Sequence, residues 1–103
     1  MATVFEKVKK AVGATDPYFD DQVESAIRSA IADMKRNAVN IPDENITASE
    51  TLGDPLLDRA VILYSRSEFN YDGEAERYRD AYQYLLCSLS LSEGYHHVGG
   101  DTP

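Results

Sequence analysis

At 103 residues the chain is sized for one domain with one modest core, too small to enclose a deep catalytic cavity as well. Its 43% apolar and 27% charged residues are ordinary for a globular protein, and no apolar run approaches the ~18 residues that cross a bilayer. A net charge of −8 argues against a dedicated nucleic-acid binder, which carries a basic face.

Met1 to Lys7 lacks the basic start, apolar stretch and cleavage site of a secretory signal, so the chain is expected to stay in the cytosol that makes it. Thr3 and Glu6 have capping-box spacing, and Phe5, Val8 and Val12 recur at three and four residues. Lys9 and Lys10 sit late, where the helix dipole favours cations, and Gly13 can end the turn. These signals predict a helix over residues 4–12. Lys7, Lys9 and Lys10 form a basic cluster, read either as a solvated face or as a patch that docks an acidic neighbour.

Asp16-Pro17 predicts a connector, in which Tyr18 and Phe19 are expected to plug a gap between helices. Asp21 and Glu24 repeat the capping-box spacing. Val23, Ile27, Ala30, Ile31 and Met34 then form one apolar stripe, predicting a second helix over 21–37. From Ala38 to Gly53 no period survives, which leaves a long connection of a kind that is either functional or disordered. Its isolated apolar residues Val39, Ile41, Ile46 and Leu52 predict that it lies on its own domain or on a neighbouring subunit. Residues 38–58 hold Asp43, Glu44, Glu50, Asp54 and Asp58 and no basic residue.

Asp54-Pro55 is a strong helix start, because Asp caps and Pro fits the first helical position. Ala60 to Tyr64 are five consecutive apolar residues, more than one turn, so this third helix is expected to be central and covered on most sides. The short turn at Asn70 to Gly73 makes the next helix its antiparallel neighbour. Tyr71, Ala75, Tyr78, Tyr82, Leu85 and Leu89 step by four, three, four, three and four, a seam that predicts a fourth helix over 74–92. Cys87, the single cysteine, can form no internal disulfide, and its place among leucines predicts a small buried hydrophobe. The reading is therefore all-α: a small bundle of about four helices, with a central C-terminal helical hairpin and a long loop between helices 2 and 3. Residues 1–95 are read as a single helical domain and 96–103 as a mobile tail.

No constellation with catalytic or ligand spacing is present: no phosphate-cradling glycine loop, no Cys/His zinc pattern, no HExxH or GxSxG. Neither an enzyme nor a cofactor is expected, and the adjacent His96 and His97 are read as chance rather than as a metal site. Seven tyrosines with no tryptophan are a noticeable bias. Tyr64, Tyr71, Tyr78 and Tyr82 have core spacing with hydroxyls at the rim, whereas Tyr84 and Tyr95 fall off the seam. The candidate subunit or partner contacts are Lys7, Lys9, Lys10, Ile41, Ile46, Leu52, Arg59, Arg66, Arg77, Tyr84 and Tyr95. The arginines among them suit bidentate pairing with carboxylates across such a contact, or solvate a helix face.

Asp54-Pro55-Leu56, Ala60-Val61-Ile62-Leu63-Tyr64, Phe69, Glu74-Ala75-Glu76-Arg77-Tyr78, Ala81-Tyr82, Leu85 and Leu89-Ser90-Leu91-Ser92 through Tyr95 together resemble the head-tail connector (adaptor) family of long-tailed phages and prophages. The Val8-x-x-Ala11-Val12 helix and the helix from Asp21 to Asn37 occupy the places expected of that family. The resemblance implies a structural virion protein, made in the host cytoplasm, that forms a ring of about twelve copies under the portal. It further implies the portal and a downstream connector or tail-completion protein as partners, with the genome passing through the channel without sequence-specific binding and no role for a membrane. The alternative is a small acidic helical interaction or regulatory module that binds one partner through its tyrosine face.

Overall fold

Local capping signals decide where the helices begin and end. In a computed structural model, which describes residues 2–70 and 73–91, α1 spans Val4–Ala11. The Glu6 N–H donates to the Thr3 hydroxyl at 3.2 Å and the Thr3 N–H to the Glu6 carboxylate at 3.0 Å, so the capping box forms as expected. At the other end Gly13 takes φ +73°, which lets its N–H reach the Lys10 carbonyl and the Ala14 N–H reach that of Lys9. That pair of bonds is a Schellman stop.

α2 spans Asp20–Arg36 and buries Val23, Ile27, Ala30, Ile31 and Met34 as the apolar stripe predicts. The second capping box does not form. Asp16 accepts the Tyr18 N–H at 2.9 Å and opens a single 3-10 turn, Pro17–Phe19, that runs straight into the helix. Asp21 is therefore already inside the first turn, where its charge faces the helix dipole instead of capping it. Phe19 is half-buried against the core, but Tyr18 is 80% exposed and meets only the edge of the Phe19 ring at 5.2 Å, so just one of the two aromatics fills a gap. α2 ends in a second Schellman arrangement, with the Val39 N–H on the Met34 carbonyl and Ala38 at φ +64°. An alanine thus holds a left-handed position that favours glycine.

α3 spans Pro55–Phe69, with the Asp54 carboxylate accepting the Leu56 N–H at 2.7 Å and proline in the first turn. It packs against α1, α2 and α4, and so is the central helix. Its cover is incomplete, however: Leu57, Ala60 and Val61 are buried, whereas Ile62, Leu63 and Tyr64 are half-buried and Leu56 is exposed. Asn70 closes it in the left-handed region, and its side chain accepts the Ala75 N–H at 3.1 Å. One residue thereby ends α3 and caps the start of α4, Ala75–Leu91. The two are in extensive contact, which is the hairpin the sequence predicts.

On α4, Tyr82 and Leu89 are buried on the predicted seam and Ala75, Tyr78 and Leu85 are half-buried. Leu86, outside that seam, is also buried, and Cys87 beside it is exposed rather than buried. Cys87 lies five residues beyond Tyr82, well round the helix from the covered side. Tyr71, Tyr95, His96, His97 and the expected tail lie outside the described residues.

The long connection between α2 and α3 is irregular but ordered against its own subunit. Val39, Ile41, Ile46 and Leu52 are all buried in the common core with Val4, Val8, Ile27 and Met34. Fully burying such side chains contributes roughly 1.5–3 kcal/mol each. The loop also completes α1, whose first N–H groups have no partner inside the helix. The Val4 N–H donates to the Ser49 carbonyl and the Phe5 N–H to that of Ile46, both at 2.9 Å. Asp43 organises the loop from within, accepting the Asn45 N–H at 2.9 Å and the Ser49 hydroxyl at 2.6 Å. The Ser49 bond first, then that of Asn45, holds its carboxyl below the usual range.

Candidate interaction surfaces

Charged side chains that look available in the sequence are largely occupied within one subunit. Lys7 donates to the Glu50 carbonyl, and Lys9 pairs with Asp20 at 2.7 Å while lying over the Phe5 ring. Both lysines fasten α1 to the rest of the fold. Lys10 alone of the basic cluster is exposed. Arg66, half-buried, donates from Nε to the Ala11 carbonyl at 3.1 Å, filling an otherwise unpaired position at the end of α1. Its guanidinium also reaches the Tyr78 hydroxyl at 3.3 Å and covers that ring, which ties α1, α3 and α4 at one point. Arg77 meets Glu74 three residues earlier at 3.3 Å.

Part of the acidic middle segment is likewise engaged within the subunit. Glu44 receives Lys35 at 2.8 Å, its carbonyl receives Arg28, and Asp58 accepts the Leu52 N–H at 2.7 Å. Ile41, Ile46 and Leu52 are covered by their own subunit, the first of the two placements that their isolated apolar character predicts. Their side chains are therefore not offered to a neighbour in this fold. Of the candidate contacts, Lys10, Arg59, Arg77 and Tyr84 remain on the outside, Tyr84 at 79% exposure.

A polar cluster between α2, α3 and α4 was only half legible beforehand. The Tyr82 hydroxyl donates to Asp33 at 2.6 Å, Asp33 also pairs with Arg36 at 2.9 Å, and the Tyr64 ring meets Tyr82 edge-on at 5.2 Å. Burial, then the Asp33 bond and charge, push the Tyr82 phenol far above its ordinary value; burial and the Glu68 and Asp33 charges raise Tyr64 as well. The core spacing of these tyrosines signalled hydroxyls at the rim. Their carboxylate partner on another helix had no sequence signal.

Among the described residues no group of three or more His, Cys, Asp or Glu could hold a metal ion, and no helix is long and apolar enough to cross a membrane. Two shallow, open depressions lie beside α3. The described residues form a small all-helical bundle with ion pairs inside one subunit. The model of the phage connector protein family matches residues 4–96, and the chain belongs to that family. No curated protein and no solved structure matches. Membership makes it a connector, a virion component that works by contact with other virion proteins.

Proposed function

We propose that the chain is a head-tail connector subunit that assembles into a closed ring beneath the portal, joins the filled capsid to the tail and lines part of the DNA exit channel. The family match across residues 4–96 carries this reading. The organisation of the subunit supports it. Lys7 ties α1 to the loop, Lys9 ties it to the start of α2 and Arg66 ties it to the hairpin, so the elements of one subunit are fastened to one another. Ring formation needs two different patches on each subunit. A net charge of −8 also suits a conduit, since a lumen dense in lysine and arginine would hold phosphates instead of letting them slide.

Light scattering on the purified chain at low and high salt and at high concentration, with negative-stain images of the same samples, tests the assembly step. Discrete rings or a discrete high-order species are expected. A strict monomer under every condition, including in the presence of the portal, would refute the proposal.

A further inference from the structure

Two shallow grooves flank α3, with opposite electrical character. The first lies against the end of α1 and includes Arg59, Ile62, Leu63 and Arg66. Arg59 is exposed and makes no ion pair among the described residues, and the exposed Lys10 is the chain neighbour of Ala11, which also lines this groove. The one carboxylate among its described lining residues, Asp58, is turned back onto the Leu52 N–H. The second groove lies where the start of α2 meets the end of α3 and includes Asp21, Ser25, Glu68 and Phe69, with no lysine or arginine in its lining. Asp21 and Glu68 are both exposed. Each groove has a half-buried apolar floor, Ile62 and Leu63 in one and Phe69 in the other.

Arg59 and Glu68 are nine residues apart on one helix, which is about two and a half turns and puts them on opposite sides. Opposite placement matters for symmetry. A groove meeting its own copy about a two-fold axis would set Arg59 against Arg59 or Glu68 against Glu68, and both arrangements repel. A groove meeting the other groove of the next copy brings unlike charges and two apolar floors together, and repeats from subunit to subunit.

We propose that the ring contact is formed by these two surfaces, the Arg59–Ile62–Leu63 groove of one subunit receiving the Asp21–Glu68–Phe69 corner of the next. The proposal rests on the ring reading above and names the surfaces that reading leaves open. Salt alone is a poor probe, because screening relieves the repulsion between subunits of charge −8 while it weakens the local attraction. Charge reversal separates the two.

Arg59→Glu, Glu68→Arg and the double variant are made in the full chain, and circular dichroism checks that each retains its helices. Association is then followed by sedimentation velocity, alone and on the portal. Each single reversal is expected to weaken association about five- to tenfold per contact, and the double variant, with the pair restored in reverse, to return to within about twofold of wild type. Single variants that assemble like the wild type, or a double variant no better than the worse single, overturn the surface assignment and leave the ring reading standing. A wild-type chain that stays monomeric even on the portal overturns both.

Discussion

Gly53 is the position where the ordered loop depends most on a single residue. Its φ is +118°, and a Cβ placed on it would stand 2.7 Å from Cγ and 3.0 Å from Cβ and Cδ of Pro42. Gly73 serves as an internal control, since it too has a positive φ, +78°, but a Cβ there meets nothing within 4 Å. Backbone strain is common to both and costs an L-residue about 1–2 kcal/mol. Overpacking against the proline ring adds a further ~1–3 kcal/mol at Gly53 alone. Gly53→Ala should therefore cost about 3 kcal/mol and Gly73→Ala about 1 kcal/mol, which for a domain of this size lowers Tm by roughly 10–25 °C and 4–8 °C. Thermal unfolding by circular dichroism measures both. Amide exchange locates the damage: the Val4 and Phe5 N–H groups, which donate to Ser49 and Ile46, should lose protection in Gly53→Ala and keep it in Gly73→Ala. Equal losses in the two variants, or unchanged protection at Val4 and Phe5, would refute the argument that Gly53 and Pro42 lock the loop onto α1.

Three further substitutions read other parts of the structure. Tyr82→Phe removes the 2.6 Å hydrogen bond to Asp33 and should cost about 1.5–3 kcal/mol in denaturant unfolding. Because the folded phenol titrates above its unfolded value of about 10, its contribution is complete below that pH and lost as pH rises above it; between about pH 8 and pH 11 the wild type should lose more stability than Tyr82→Phe, in which the raised Tyr64 still contributes to the slope. Ser65 is fully buried and its hydroxyl has no partner among the described residues, so Ser65→Ala should raise stability by about 1 kcal/mol, read as a higher urea midpoint at unchanged slope. Ala38→Gly relieves the left-handed strain at φ +64° and should add about 0.5–1 kcal/mol in the same assay; a loss of stability would show that the α2 stop is not strained.

What the sequence revealed and what it hid follow the range of the interactions. Thr3 with Glu6, Asp54 with Pro55, and the three- and four-residue steps of α2 and α4 act within one or two turns, so the four helices and the hairpin were readable from local pattern. The start of α2 falls within one residue of its expected place, but its Asp21–Glu24 capping box does not form, because Asp16 opens a turn that preempts Asp21. The second stop was obscured by Ala38, which does by tertiary context what glycine does by preference. The loop was harder still. Ile41, Ile46 and Leu52 announced that something covers them, but only the chain's path shows that their own α1 and α2 do so. Arg66 and Lys9 illustrate the same limit for the surface candidates, since a long basic side chain has one appearance in sequence whether it meets a carbonyl of its own subunit or a carboxylate of the next.

A ring on the portal is the assembly proposed for this connector subunit. Co-assembly of the purified chain with the portal of the same phage, imaged by electron microscopy, tests it most directly. A ring of density is expected on one face of the portal, coaxial with its channel, with copies in head-to-tail contact. A portal whose density is unchanged at saturating chain, or decorated by isolated copies that do not touch, would contradict it.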